Sequence, residues 1–498
     1  MVLEGFVQAL QIMAQPEFLL AMLAGTLVGL IIGIIPGIGG TIGLALFLPF
    51  VFAAPAQQAL PFMVAIWGTT ATSGAITSIL LNVPGTPVNA ATLIDGFPMT
   101  QKGEGGRAIG AAVASSAAGG VATALIALAM IPLILPMIMA IQSADMVFII
   151  LLGLSLLSIL SRDSMFKGLV SGGFGLMLAF VGWDIATGRA RFTLGSLYLY
   201  EGIGIVPLVL GLMALPAMVK LAMMGGTIAK VETALTGMQG VWEGVKDVAR
   251  HWTLWLRCTI GGLVIGIIPG VGASAATFMA YAHAKQTSKH PEKFGTGTVE
   301  GVIAPESANN AKDGGALLTT LALGLPGSAD AAILIGAFLL VGLIPGPQML
   351  RENLGLSLSL LYVLVLANLL AAAICFLTVR YLVKIASVPG RLLSPIVVII
   401  ALTGAFASRG VFHDVTTTLV FTVVGLAMVR FGFNRPALLL GFVLGGLFEK
   451  YLLIAYKVGG PLFFMRPISM SIIILLIAVF GFGAVKALLQ RRRRGKPV

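Results

Sequence analysis

Two stretches of this chain place a helix breaker in the middle of an apolar segment. Residues 25–50 read GTLVGLIIGIIPGIGGTIGLALFLPF, and residues 260–281 read IGGLVIGIIPGVGASAATFMAY. Proline and glycine end one helix and let another begin, which frees backbone N–H and carbonyl groups. The N–H groups at a new helix start attract anions, and the carbonyls of the preceding helix end attract cations. These stretches therefore suit the binding of a carboxylate together with a cation.

Two further breaks follow in the same order, NVPGTP at residues 82–87 and LPGS at residues 325–328. Irregular backbone at membrane depth survives only where protein or a water-filled cavity surrounds it, and secondary transporters use such breaks as binding sites. We predict Na⁺ near Pro36, Gly37, Pro269, Gly270 and Asp330. The predicted substrate ligands are Gly39, Gly40, Thr41, Asn82, Gly85, Thr86, Asn89, Gly272, Ser274, Asn309, Asn310, Gly327 and Ser328.

Each of these residue types also has a structural role that would explain it. The hydroxyls after the breaks are equally suited to capping helix N-termini, and buried amides can hold helices together. Asp330 would repel an anion, so it either coordinates a cation, selects a less charged substrate or marks an exposed helix start. Glu306, Lys312 and Asp313 are expected at the membrane interface in a structural ion pair.

The composition indicates the fold class. The chain has 498 residues, of which 58% are hydrophobic and only 10% charged, and its mean hydropathy is +1.02. A helix needs about 20 apolar residues to cross a bilayer. The sequence therefore predicts an all-α polytopic membrane protein of about ten to twelve transmembrane segments, including broken helices or re-entrant hairpins. Alternating strand patterns are absent from the sequence.

An internal duplication organises these segments into two homologous repeats, for which we expect an inverted arrangement. Aligning Pro36 with Pro269 also pairs Gly29 with Gly262 and Gly33 with Gly266. We predict a lead-in at 1–16, a first membrane repeat at 17–219, an interfacial linker at 220–257, a second repeat at 258–490 and a basic tail at 491–498.

The net charge of +12 follows from basic residues in loops and in the tail, so the positive-inside rule explains it without a nucleic-acid partner. Arg491–Arg494 predicts a cytoplasmic C-terminus. The four histidines lack metal-ligand spacing, and neither a Gly-x-Ser-x-Gly elbow nor a phosphate-binding P-loop is present, which disfavours an enzyme or an ATP-driven pump. No cofactor is expected. A Na⁺ or proton gradient remains as the energy source.

Longer motifs resemble a known family. GIIPGIGG, NVPGTPVNAATLIDGFPM followed by KGEGGRAIGAAVASSAAGG, and ESANNAKDGGALLTTLALGLPGSADAAILIGA ending in GLIPGP are similar to the large membrane subunit of bacterial tripartite tricarboxylate transporters. The resemblance implies a cation-driven importer of di- or tricarboxylates in the inner membrane. It also implies two partners, a small four-span membrane subunit and a periplasmic substrate-binding protein. Asp330 departs from the uncharged residue expected there.

The mechanism expected from this pattern is an elevator surrounded by membrane lipid. Glycines concentrate around the breaks and are scarce near residues 355–378, so a domain with the four breaks would move against a scaffold. That scaffold would hold the small subunit and the contacts of a homodimer. A stand-alone carboxylate symporter and a sensor or scaffold subunit without transport activity remain the alternatives.

Overall fold

The computed structural model describes residues 2–159, 165–184, 186–223, 240–269, 271–385 and 390–478. The predicted basic tail lies outside these residues, as does part of the predicted linker. The helices of the first half are α1 (Val2–Met13), α2 (Pro16–Ile34), α3 (Gly39–Phe47), α4 (Ala56–Leu81), α5 (Leu93–Gln101), α6 (Gly105–Ala140), α7 (Ser143–Ile159), α8 (Met165–Ala179), α9 (Ile205–Val209) and α10 (Leu215–Met223).

A π-helical turn, Leu210–Ala214, joins α9 to α10. In the described part of the chain the strands are limited to β1 (Gly182–Trp183) and β2 (Ala190–Arg191), which pair antiparallel with Gly182 opposite Arg191. The remaining helices are α11 (Val241–Arg250), α12 (Trp252–Ile267), α13 (Ala273–Thr287), α14 (Glu300–Leu323), α15 (Ala329–Leu340), α16 (Pro347–Glu352), α17 (Leu354–Ile385), α18 (Gly390–Arg409), α19 (Phe412–Phe431), α20 (Arg435–Gly459) and α21 (Pro467–Ala478).

Eight helices among the described residues are long and apolar enough to cross a membrane, and seven shorter apolar helices accompany them. This confirms the predicted all-α polytopic membrane fold. All four breaks are present: α2 stops at Ile34, α4 at Leu81, α12 at Ile267 and α14 at Leu323. Homology and inversion of the two halves stay predictions.

Two helices, α4 and α14, form the buried centre. Glycines of α2 pack on α4, where Gly29 lies against the Ile66 carbonyl and Gly33 against the Thr70 carbonyl. A Cβ atom at either glycine would collide with that backbone. Spacing small residues by four allows such close approach in membranes, where the hydrophobic effect does not drive helices together.

The same packing occurs in the second half. Gly262 of α12 lies against Ala308 of α14, and Gly266 lies against the carbonyl of Lys312. Gly29 and Gly33 are the residues that the duplication aligns with Gly262 and Gly266. In both halves the helix before the first break is therefore held against a buried partner helix by matched glycines.

Two helices contain residues that are unusual inside a helix. The first is α4, which begins at Ala56 and contains Pro61; this proline is tolerated because the carbonyl that loses its partner is that of Gln57, an exposed residue at the helix start. The second is α14, in which the polar run from Glu306 to Gly315 is buried throughout. The run was expected to place Glu306, Lys312 and Asp313 at the membrane interface, but its side chains bond one another and neighbouring helices instead.

A buried carboxylate of the first half accepts hydrogen bonds from a loop of the second half. Asp95 of α5 is fully buried, and its Oδ1 accepts hydrogen bonds from the N–H groups of Gly295 (2.9 Å), Gly297 (2.8 Å) and Thr298 (3.0 Å). Its Oδ2 accepts a hydrogen bond from the hydroxyl of Tyr281 at 2.8 Å. One side chain thus satisfies four donors, of which the Tyr281 hydroxyl belongs to a buried residue.

We expect Asp95→Ala to lower the free energy of unfolding by about 2 kcal/mol or more, because it leaves the buried Tyr281 hydroxyl unpaired, at a cost of about 1–3 kcal/mol, and removes three further hydrogen bonds to a charged group. The melting temperature of the detergent-solubilised protein measures the effect. The matched control is Glu292→Ala, at an exposed position next to the loop that Asp95 binds, and this variant should melt like the wild type. Equal melting of both variants would contradict the role given to Asp95.

Candidate substrate site

A cavity of about 330 Å³ lies where the four breaks meet. Each segment that follows a break contributes its first residues to the wall. These are Gly40 and Thr41 of α3, Pro87 and Val88 of the short 3-10 helix Pro87–Ala90, Ala273 and Ser274 of α13, and Ala329 and Asp330 of α15. The helix starts of both halves therefore face one shared space.

Helix starts carry backbone N–H groups without intrahelical acceptors and a partial positive charge. Three α-helices and one 3-10 turn bring such ends to the cavity, so its backbone field favours an anion. Pockets of roughly 300–1,000 Å³ suit small organic ligands. The cavity is consequently the right size and polarity for a small organic acid.

Trp67 of α4 adds a side-chain donor. It lines the cavity, is 2% exposed, and its indole Nε1–H has no hydrogen-bond partner within the described chain. An unpaired buried donor is unusual in a native structure and calls for an explanation. Because Trp67 belongs to the cavity wall, a ligand oxygen is a candidate partner for this donor.

The four hydroxyl residues predicted as ligands all line this cavity: Thr41, Thr86, Ser274 and Ser328. The structural alternative holds for Ser328, whose Oγ accepts the Ala331 N–H at 3.2 Å and caps α15. Thr86 donates to the Asn89 side-chain oxygen at 2.7 Å. Thr41 donates to Asp330, and this bond joins the first break to the fourth.

One cation and one carboxylate face the cavity, Lys312 of α14 and Asp330 of α15. Lys312 is 5% exposed, and its Nζ donates to Asp313 Oδ1 at 2.5 Å. The expected ion pair is therefore present, but it is buried beside the cavity rather than placed at an interface. Sequence reasoning treated Lys312 as structural and missed its place in the wall.

The predicted amides Asn89 and Asn309 lie outside the wall and bind a carboxylate instead. Glu306 is fully buried; Asn89 donates to its Oε1 at 3.1 Å, Thr92 to the same oxygen at 2.5 Å, and Asn309 to its Oε2 at 3.0 Å. Asn89 also donates to the carbonyl of Ala71 at 2.9 Å. This cluster ties the second break of the first half to α14.

Asn310 holds helices together. Its Nδ2 lies within hydrogen-bond distance of the Gly68 carbonyl (3.1 Å), Thr72 Oγ1 (2.8 Å) and Asn368 Oδ1 (2.6 Å), and its Oδ1 accepts from Ser116 at 2.9 Å. The side chain thereby connects α14 to α4, α6 and α17. Asn310 therefore has the structural role considered for buried amides, which is to hold helices together.

The other predicted residues divide between the wall and its support. Gly40 and Gly272 are in the wall, Asn82 is exposed with a left-handed backbone, and Gly85 and Gly327 pack tightly on the Gly33 and Gly266 carbonyls. Of the predicted cation residues, Asp330 is in the wall and Gly270 falls outside the described residues. The cavity wall does not include Pro36, Gly37, Gly39 or Pro269.

Sequence reasoning left other wall residues unassigned, among them Trp67, Thr70, Asn434 and Pro436. Trp67 and Thr70 begin the run of small and hydroxyl residues in α4, which is the signal that could have found them. Asn434 caps α20 by accepting the Ala437 N–H at 3.0 Å. No local sequence signal connects that cap to the breaks, because only the fold brings α20 beside α15.

Comparison with known proteins decides the family. A model of the tripartite tricarboxylate transporter TctA family matches residues 19–440. The chain belongs to this family. It is therefore a multi-pass membrane protein related to the large subunits of tricarboxylate transporters. Separately, the described residues contain no group of three or more His, Cys, Asp or Glu side chains that could hold a metal.

Two relatives of this TctA-family chain come from Agrobacterium vitis. An uncharacterized 52.8 kDa protein of the TAR-I ttuC' 3' region is 33% identical over 91% of this chain and 90% of its own length. An uncharacterized protein of the TAR-II ttuC' 3' region is 34% identical over 43% of this chain and 89% of its own length. No solved structure matches the chain.

The unpaired indole gives a prediction for this TctA-family transporter. Trp67→Phe keeps an aromatic ring but removes the Nε1–H, so the affinity for carboxylate should fall about tenfold or more, as expected for one hydrogen bond to a charged group. Carboxylate-dependent thermal stabilisation of the purified protein measures it. Trp242→Phe, at an exposed position, is the control, and unchanged affinity in Trp67→Phe would exclude the indole as a ligand.

Proposed function

We propose that this chain is the permease subunit of a tripartite importer that carries di- or tricarboxylates across the bacterial inner membrane. The substrate binds in the cavity where the four breaks meet. A Na⁺ or proton gradient drives uptake. A periplasmic binding protein delivers the substrate, and a small four-span subunit completes the membrane complex.

The observation that carries the proposal is the convergence of four chain breaks on one cavity. The breaks lie together, so helix starts, Trp67 and Lys312 surround a single space. Such an arrangement near broken helices is the way secondary transporters hold anionic substrates. The family assignment supports the same class of substrate.

The charges of the wall favour transport coupled to a cation. Lys312 and Asp330 are opposite charges facing one cavity, so the fixed side-chain charge there does not match that of a di- or tricarboxylate. Backbone N–H groups supply only partial charges. A cation that enters with the substrate brings the missing positive charge.

For alternating access, we propose that the helices around the breaks move against a scaffold made of α7–α10 and α18–α20. The segment near 355–378 was expected to belong to the scaffold, but its packing supports a place in the moving part. It lies in α17, which packs against α1, α2, α4 and α6, and Asn368 of α17 bonds Asn310 of α14. Polar bonds buried between helices are costly to break. We therefore place α17 with the moving part.

The cavity can be blocked from two sides. Thr86→Leu and Ser328→Leu add apolar bulk to walls from different halves, so each should abolish uptake of labelled citrate or of a labelled dicarboxylate. Uptake is measured in cells that produce the chain with its small subunit and binding protein. Thr287→Leu, at an exposed helix end, is the control, and full uptake in both wall variants with normal membrane insertion would reject the site.

The same assay separates the rival roles. Uptake that persists without the small subunit and the binding protein would indicate a stand-alone symporter. Absence of uptake of every carboxylate by the complete wild-type system, despite normal assembly, would favour a sensor or scaffold subunit.

A cross-link tests the proposed motion. Pro49, just after α3, lies against Gly404 of α18, so a disulfide between cysteines placed there would fix the two parts together and should stop uptake until it is reduced. The control pair joins Gln8 of α1 to Gly355 of α17, which are also neighbours but lie within the proposed moving part. That cross-link should leave uptake intact, whereas full uptake with the first cross-link closed would exclude the motion.

A further inference from the structure

A second cavity, of about 10 Å³, lies behind the substrate cavity. It has room for a single water-sized particle. Its wall combines both breaks of the second half, Gly272 and Ala273 from one and Gly327 and Ser328 from the other, with the side chain of Asp313. The cavity therefore lies between the two segments that must hold their shape for the substrate site to exist.

Asp313 is the unusual member of this wall. It is 2% exposed, its Oδ1 accepts a hydrogen bond from Lys312, and its Oδ2 has no hydrogen-bond partner among the described residues. A buried carboxylate oxygen without a partner is expensive. Since Asp313 belongs to the wall of an ion-sized cavity, a positively charged or donating occupant there would supply the missing partner.

Backbone oxygen is available beside the carboxylate. Gly266 belongs to the same wall and lies in the last turn of α12, where carbonyls lose their intrahelical partners and carry partial negative charge. The Gly266 carbonyl faces Gly327 so closely that a Cβ there would lie 2.6 Å from its oxygen. A carboxylate and a helix-end carbonyl are the kinds of oxygen ligand that a hard cation takes.

We propose that this small cavity binds Na⁺ and that its occupation releases Lys312 for the substrate. The inference rests on the proposed function and gives it a coupling site. Lys312 lines both cavities, and Na⁺ at Asp313 competes with its ammonium for the same carboxylate. The ammonium is then free to pair with a substrate carboxylate in the larger cavity.

The charge and size of the site select the ion. One carboxylate that is already shared with a lysine does not provide the several anionic oxygens that Ca²⁺ takes. The volume of about 10 Å³ leaves little space for an ion larger than Na⁺. The site differs from the one expected at Asp330, because Asp330 belongs to the substrate cavity and is not in the wall of the small one.

The test is the effect of Na⁺ on the melting temperature of the purified full chain, with choline replacing Na⁺ at constant ionic strength. Na⁺ should stabilise the wild type, and K⁺ should do so much less. In Asp313→Asn, the Na⁺ concentration for half-maximal stabilisation should rise about tenfold or more. Glu300→Gln, at a carboxylate on the same helix but outside the walls of both cavities, is the matched control and should respond like the wild type.

Citrate binding in the same samples gives the second readout. Na⁺ should raise citrate affinity in the wild type, and citrate should raise Na⁺ affinity by the same factor, because linkage is reciprocal. In Asp313→Asn, where Lys312 has lost its ionic partner, citrate binding should no longer depend on Na⁺. If that variant does not fold, the wild type alone is used, and citrate binding that is unaffected by Na⁺ overturns the proposal.

The outcomes separate the two proposals. A Na⁺ response that is lost in Asp313→Asn, without binding of any carboxylate, would keep the cation site and reject the proposed substrate. Citrate binding that ignores Na⁺, or that depends on pH instead, would keep the carboxylate site and overturn the Na⁺ site. An unchanged Na⁺ response in Asp313→Asn would overturn it as well.

Discussion

Broken backbone inside a membrane protein must be kept away from lipid, and this constraint determines the arrangement around the site. Hydrocarbon offers no hydrogen bonds, so each free N–H or carbonyl there costs several kcal/mol. The chain meets the constraint by placing all breaks beside two helices, α4 and α14, that are buried along nearly their whole length. The glycines of α2 and α12 allow this because they let the broken helices pack directly on those centres.

The second requirement is that the buried polar groups satisfy one another. Glu306, Asn310 and Asp313 recur at helical spacing along α14 and form a polar stripe through the core. Neutral donors surround Glu306 and several acceptors surround Asn310, so both are well bonded. Asp313 Oδ2 has no hydrogen-bond partner among the described residues. This oxygen belongs to the end of the stripe that reaches the breaks, where a ligand can complete its bonding.

Sequence reasoning found the parts of the site more reliably than their arrangement. Proline and glycine in apolar runs are strong local signals, so the four breaks and the hydroxyls of Thr41, Thr86, Ser274 and Ser328 could be predicted. Whether an amide faces a cavity or another helix depends on tertiary contacts, which the sequence does not show. Asn89, Asn309 and Asn310 were predicted as substrate ligands, but they bond a carboxylate or neighbouring helices. The burial of Lys312 and Asp313 was missed because a charged run normally indicates solvent, and nothing local reveals a partner in sequence-distant segments.

In the proposed mechanism, Asp330 opposes the substrate only in the absence of the cation. With Lys312, Asp313 and Asp330 ionised, the three side chains carry one net negative charge, and Lys312 is held by Asp313. An anion meets repulsion from Asp330 and no free ammonium, so entry without a cation is disfavoured. One Na⁺ at Asp313 brings the net charge to zero and frees the ammonium, so the same cavity accepts a carboxylate. A second lysine in place of Asp330 would bind the anion more tightly, but it would also admit it without the ion, and the gradient would no longer drive uptake.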